Sequence, residues 1–281
     1  MLSYRHAFHA GNHADVLKHF ILHQVLAYTN QKDKPYWYID THAGAGIYAL
    51  DHGYATQNAE FEHGIAQLWE CHDLPVPLQS FVDLIKHINR GKTLKHYPGS
   101  PAIAQALLRS GDRARLFELH PSDTKLLRQH FKTAGRQVLI EQQDGFAGLK
   151  ALLPPPPRRA VVLIDPPYEE KHDYQRVIDA LKDSLQRFAT GTYLLWYPLL
   201  QRSEVDQLTG RLAKLGVGSW LHATLTVHRP AADGFGMHGS GMFVINPPWT
   251  LPGLLAQTLP YLAEKLALDD GAGYTLQHHI P

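Results

Sequence analysis

Residues Tyr36–Gly46 read YWYIDTHAGAG. A run of aromatic and β-branched side chains suits a pleated strand. Asp40 ends it, and Gly44 and Gly46 let the backbone turn and approach a ligand closely. Outward from this stretch the pattern repeats. ARLFEL (Ala114–Leu119), QVLIE (Gln137–Glu141), AVVLID (Ala160–Asp165), TYLLWY (Thr192–Tyr197), SWLHATLTVH (Ser219–His228) and GMFVIN (Gly241–Asn246) are short apolar runs. Helical patterns at 121–134, 172–189 and 202–215 fall between most of them. Apolar strands alternating with helices predict an α/β protein with a doubly wound, mostly parallel sheet of seven strands. The last two strands read as a hairpin across RPAADGFGMHGS, so the final one is expected to run antiparallel and to end at the opposite edge of the sheet.

Asn12 stands where a helix N-cap belongs, with Asp15 in a capping-box position. Val16, Leu17, Phe20, Ile21, Val25 and Leu26 recur at helical spacing, which predicts an amphipathic helix over 13–29. In a doubly wound fold the acid that holds a nucleotide ribose ends the next strand, about 20 residues after the glycine loop. Glu118 comes much later than that. The excess, residues 48–97, carries helical patterns (EFEHGIAQLWE, LQSFVDLIKHI) and no strand, and reads as a small inserted helical subdomain. The main domain is then 1–47 with 98–281, and SPAIAQALLRS, with Pro101 in its first turn, is the helix that follows the loop.

The 281 residues are 44% hydrophobic and 19% charged, the balance of an ordinary globular protein. No apolar run is long enough to span a bilayer, and the polar N-terminus lacks the apolar core of a signal peptide. A cytoplasmic monomer with no membrane partner is expected. The single Cys71 excludes an internal disulfide and a Cys-rich metal site. His9, His13 and His19, or His42 with His120, lack zinc-ligand spacing, so no metal is expected. Net charge is only +1, yet Lys86, Arg90, Lys92 and Lys95 cluster in KHINRGKTLKHY without an acid. That run is either a nucleic-acid contact or simply a solvated face.

The chemistry lies in the strand-end acids. Asp40, Glu118, Asp144 and Asp165 each follow one of four successive strands and converge on the carboxyl edge of the sheet, where open α/β sheets bind ligands. Four acids without a phosphate-binding lysine motif disfavour a nucleoside triphosphate. S-adenosylmethionine fits better, with its cationic centre, two ribose hydroxyls and adenine amino group. Glu118 would accept from the ribose and Asp144 from the amino group. LIDPPY (Leu163–Tyr168) then suits transfer to an exocyclic amine. Such a nitrogen is a poor nucleophile because its lone pair is delocalised into the ring. Asp165 and a carbonyl freed by Pro166 and Pro167 would accept from it, and Tyr168 would stack on an extruded base. The plainer reading is a proline-terminated strand with a surface aromatic. VINPPW (Val244–Trp249) has similar chemistry in principle, but its place at the opposite edge makes it a structural strand end.

These residues resemble a class I, Rossmann-like, S-adenosylmethionine-dependent amino-group methyltransferase. MLSYRHAFHAGNHADVLKH, DTHAGAG, YPGSP and ELHPSD further resemble the bacterial 23S rRNA adenine-N6 methyltransferase J family, over nearly the whole chain. The resemblance implies cofactor contacts at Lys18 or His19, His42, Ser100, Glu118, Asp144, Gly145 and Asp165, beside the loop residues Asp40, Gly44 and Gly46. It also implies that Asp165 is the catalytic acceptor, that Tyr4 lies near the target base, and that 23S ribosomal RNA is the partner. Residues 1–11, with Tyr4, His6, Phe8 and His9, are then read as a lid that a disordered tail would otherwise replace. Two rival functions stay open: adenine-N6 methylation of DNA, and a non-catalytic RNA-binding module on the same scaffold.

Overall fold

The computed structural model describes residues 5–51, 55–91 and 93–281. Tyr4 and Lys92 lie outside them. After a short 3-10 turn at His6–Phe8, α1 (His13–Thr29) leads into β1 (Trp37–Asp40). β2 (Ile47–Ala49) and β3 (His96–Pro98) pair antiparallel, Tyr48 opposite Tyr97. Between them lie α2 (Ala55–Asn58), α3 (Ala66–Trp69) and α4 (Val76–Asn89). The expectation of a stretch with no strand is therefore corrected at its two ends. Three-residue strands are too short to leave a periodic signal in sequence.

The chain continues through α5 (Ser100–Leu107), β4 (Arg113–Phe117), α6 (Pro121–His130), β5 (Val138–Glu141), α7 (Gly145–Leu152), β6 (Ala160–Ile164) and α8 (Lys171–Arg187). It ends with β7 (Thr192–Leu199), α9 (Ser203–Ala213), β8 (Trp220–Thr226), β9 (Gly239–Ile245), α10 (Leu251–Lys265) and β10 (Gly273–His279). The large sheet has the order β10-β8-β9-β7-β6-β1-β4-β5. β5, β4, β1, β6 and β7 are mutually parallel, and β9 runs antiparallel between β7 and β8. The Rossmann-like α/β architecture thus stands, with eight strands rather than seven. β10 adds antiparallel to β8 as an edge strand, and its residues are mostly exposed, so it carries little of the apolar signal that marks the inner strands.

Parallel pairing decides where the acids go. Asp40 stands in register with Leu116 and Leu163, so the segments following β1, β4 and β6 emerge at one edge. β9 points the other way: Ile245 pairs with Tyr193 at the start of β7. Asn246 accordingly sits at the opposite edge, where its amide donates to the carbonyls of Ala189 (2.8 Å) and Gly191 (2.7 Å).

α1 departs from its predicted amphipathic character. Its residues from His13 to Leu26 are all buried, because the helix is covered by α5, by α4 and by the sheet strands β6, β7 and β9. Burying Leu17, Phe20, Ile21 and Leu22 contributes roughly 1.5–3 kcal/mol each. The burial also carries Asp15, Lys18 and His19 into the interior. Asn12 caps the helix as expected, accepting from the backbone N–H of Ala14 and Asp15 at 3.0 Å. Asp15 does not close a capping box on Asn12; its carboxylate accepts from the N–H of Gly11 at 2.9 Å. Among the described residues no helix is long and apolar enough to cross a membrane.

Candidate functional site

A cavity of about 510 Å³ opens at the carboxyl edge of the parallel strands. Glu118, Asp144 and Asp165 line it, with Lys18, His19, His42, Gly44, Ser100, Gly145, Pro166 and Tyr168. These residues come from α1, from the loops after β1, β4, β5 and β6, and from the start of α5. The fold brings together most of what the sequence singles out.

Lys18 is the centre of charge. Its ammonium donates to Asp165 Oδ2 at 2.6 Å and lies 2.9 Å from Asp15 Oδ1. Burial opposes the charge, but the fields of Asp15 and Asp165 outweigh it and raise the lysine pKa, so the ammonium persists. Asp15 is likewise held well below the carboxylate range, burial being outweighed by His6 and Lys18. The ammonium also sits 5.3 Å from the Trp196 ring centroid. His19, by contrast, is neutral: burial pushes it down to about 3, and its Nδ1 lies 2.9 Å from the Tyr97 hydroxyl.

Glu118 braces the glycine loop. Its Oε2 accepts from the Gly44 N–H at 2.8 Å and its Oε1 from the His120 N–H at 2.7 Å. Burial nevertheless raises its pKa. Gly44 has a φ of +60°, and an added Cβ would meet the Tyr48 hydroxyl at 2.2 Å, so only glycine fits there. Gly145 is equally constrained, since a Cβ would lie 1.9 Å from the Thr41 carbonyl oxygen. Gly46 is not part of the cavity wall; its carbonyl accepts from the Gly99 N–H at 2.8 Å and ties the loop to the start of α5.

Asp40 also departs from expectation. It is fully buried and does not line the cavity. Its Oδ2 accepts from the Tyr38 and Ser100 hydroxyls, both at 2.7 Å, and its Oδ1 from the His42 N–H at 3.2 Å. It therefore acts on the site through Ser100 and His42. His42 is neutral, lowered to about 4 by burial, with Nδ1 2.8 Å from the Thr41 hydroxyl.

Asp144 caps α7, its Oδ1 accepting from the Phe146 N–H at 2.8 Å, and its Oδ2 takes a close ion pair from Arg176. The Arg176 guanidinium lies over the Phe146 ring at 4.6 Å. Tyr168, at φ +52°, is only 3% exposed. Its hydroxyl donates to the Trp196 carbonyl at 2.8 Å, and its ring lies 4.6 Å from that of Tyr174. The expected open stacking face is thus narrowed to whatever part of the ring reaches the cavity. Trp196 lines the cavity beside it, 8% exposed, and its buried Nε1–H has no partner among the described residues.

Residues 5–9 form a strap that borders this cavity through His6 and His9. Arg5 pairs with Asp123 at 3.2 Å at the start of α6, His6 Nε2 lies 2.9 Å from Asp15 Oδ2, and His9 Nδ1 lies 2.8 Å from Glu60 Oε1. His6 lines the cavity and meets the Tyr48 ring edge-on at 5.1 Å. The basic run is elsewhere. Arg90 and Lys95 are exposed, Lys86 lies over the Trp69 ring at 5.6 Å, and none of the three lines the cavity.

Three participants escape sequence reading. Asp15 looks like a capping acid, although its spacing to Lys18 was a usable sign. Arg176 carries no signal linking it to Asp144. Trp196 lies inside β7, level with the residue after the end of β6, so the rule that picked out the strand-end acids does not reach it. Among the described residues no group of three or more His, Cys, Asp or Glu is placed to hold a metal ion.

Comparison with known proteins gives consistent results. A family described as "Ribosomal RNA large subunit methyltransferase D, RlmJ" matches residues 33–279. Ribosomal RNA large subunit methyltransferase J of Escherichia coli is 48% identical over 266 residues, covering 95% of this chain and 94% of that protein. Its Haemophilus influenzae namesake is 46% identical over the full length of both. Among solved structures, protein LPL1258 of Legionella pneumophila superposes with a TM-score of 0.88 at 36% identity, covering 96% of this chain and 98% of the other.

Proposed function

This chain belongs to the ribosomal RNA large subunit methyltransferase J family, and from that premise we propose that it transfers a methyl group from S-adenosylmethionine to the N6 amino group of an adenine in 23S ribosomal RNA. The observation that carries this reading is one cavity holding both a loop-bracing Glu118 and an Asp165 gripped by Lys18.

The residues present fit the cofactor. The cavity volume is within the range that takes nucleoside-sized ligands. Each Glu118 oxygen spends one acceptor site on a backbone N–H, leaving another for a vicinal ribose diol. Asp144 and Gly145, at the start of α7, would hold the adenine end, with Arg176 fixing the carboxylate. Neutral His42 and His19 offer ring nitrogens without adding positive charge, and Ser100 is held by Asp40. Bound S-adenosylmethionine supplies a methyl group on a cationic sulfur, activated for attack by an amine.

This chain's own residues handle the nucleophile. The target adenine leaves its stack to reach the cavity floor, where Tyr168, Trp196 and Pro166 flank Asp165. Asp165 accepts one amino N–H and a backbone carbonyl of the proline pair accepts the other. The two acceptors turn the nitrogen lone pair out of conjugation and stabilise the positive charge that grows on it. As the N–C bond forms the methyl–sulfur bond would break to leave a neutral thioether, and the methylated nitrogen then loses one proton to solvent water. Lys18 occupies Asp165 Oδ2 and so fixes which oxygen is left to the amino group. RNA backbone contacts fall to the exposed cations Arg90 and Lys95 on the insertion.

The test is methyl transfer from labelled S-adenosylmethionine to protein-free 23S rRNA, with duplex DNA in parallel. Label should enter the RNA and not the duplex. Asp165→Ala should bind cofactor but lose turnover, whereas Asn246→Ala, at the opposite edge, should keep it. Active Asp165→Ala, or label in the duplex alone, refutes the reading.

A further inference from the structure

Asp15 is 1% exposed, in the first turn of α1, and no part of the mechanism above uses it. Its contacts form a chain. Oδ2 lies 2.9 Å from His6 Nε2 and accepts from the Gly11 N–H at 2.9 Å. Oδ1 lies 2.9 Å from the Lys18 ammonium, which donates onward to Asp165 Oδ2 at 2.6 Å. One buried carboxylate thus connects the N-terminal strap to the acceptor that the proposed reaction depends on.

We infer that Asp15 is a positioning residue for methyl transfer: it draws the Lys18 ammonium partly away from Asp165, so that Asp165 keeps both its acceptor strength and one free oxygen. The inference rests on the reading of Asp165 as the amino acceptor.

The physical reason is charge balance. A buried ammonium facing a single carboxylate neutralises it and tends to engage both of its oxygens. Two carboxylates sharing one ammonium leave Asp165 only partly neutralised by it. That remaining charge on Asp165 offsets the positive charge that grows on the amino nitrogen. The geometry separates the roles, since Lys18 meets Asp165 through Oδ2 at 2.6 Å and Asp15 through Oδ1 at 2.9 Å. His6 and the Gly11 N–H, both on Asp15 Oδ2, keep that carboxylate from rotating. Docking of the strap through His6 is thereby coupled to the orientation of Asp165 by way of Asp15 and Lys18.

Asp15→Asn tests this, because the amide is isosteric and still accepts from Gly11 while losing the charge. The rate of a single turnover on 23S rRNA should fall by roughly 100-fold, the scale on which an oriented polar group acts. S-adenosylmethionine affinity by calorimetry should stay within about threefold of wild type. His6→Ala made in the Asp15→Asn background should cost little more, since both lie on one chain of contacts. Asp15→Glu, which keeps the charge but displaces it by a methylene, should fall between wild type and Asp15→Asn, and it serves as the test if the Asn variant does not fold. A wild-type rate per folded molecule in either variant overturns the inference, as does an undiminished His6→Ala effect. If Asp165→Ala is inactive while Asp15→Asn is not, only this inference fails; if Asp165→Ala is active, the acceptor assignment beneath it fails.

Discussion

Asp40 is the most heavily penalised acid at the strand ends, and replacing it by Asn should stabilise the cofactor-free protein. It is fully buried, and its carboxyl is pushed from the ordinary 3.8 up to about 6, chiefly by burial, against opposing hydrogen bonds from Tyr38 and Ser100. A folded-state pKa raised above the unfolded one means that the fold prefers the protonated form. The stability this confers is full below about pH 4 and is lost as pH rises through about 6. The shift of about two pK units corresponds to about 3 kcal/mol above pH 6. Asn removes the penalty without breaking the contacts. Its oxygen accepts from the His42 N–H, and its amide donates to the Tyr38 and Ser100 hydroxyls, which rotate to accept. Urea unfolding of wild type and Asp40→Asn at pH 4, 6 and 8 measures the difference directly, other groups cancelling. The Asn variant should gain about 3 kcal/mol at pH 8, an upward midpoint shift of roughly 6–12 °C on heating, and little at pH 4. A gain that does not change with pH, or a loss at pH 8, would refute the argument.

Two further outcomes follow from the site. Glu118→Ala should weaken S-adenosylmethionine binding by roughly 1–3 kcal/mol, because it removes the ribose acceptor and frees the Gly44 N–H that shapes the loop; unchanged affinity in calorimetry would remove the assignment. Reversing charge at Arg90 and Lys95, both exposed on or beside α4, should weaken RNA binding and flatten its salt dependence by roughly one log unit per lost phosphate contact, with cofactor affinity intact. Equal RNA affinity and equal salt slope would return the run to an ordinary solvated face.

Strand ends were the legible part of this protein. A buried parallel strand announces itself by a short apolar run. Because parallel strands emerge at a common edge, the residues that follow β1, β4, β5 and β6 had to gather near one another. Gly44 belongs to the same class, since the close approach it permits occurs in the loop that follows β1. The direction of β9 was legible too, because a hairpin leaves one antiparallel partner and so sends Asn246 to the far edge.

Only tertiary structure decided which acids face the cavity and which are spent on support. Asp40 and Glu118 look alike in sequence, yet Asp40 is sealed behind Ser100 and His42 while Glu118 keeps acceptor sites open to the cavity. The polar stretch at Gly273–His279 became a strand only because β8 offered it an unpaired edge. α1 has residues that would suit a solvated face, but α4 and α5 cover it and turn Asp15 and Lys18 into a buried pair. The pairing of Lys18 with Asp165, across 147 positions of the chain, depends on how a helix lies against a sheet. Local propensity acts over a few residues. The ownership of a buried charge is set by whatever the fold brings within about 3 Å of it, and neither composition nor spacing contains that distance.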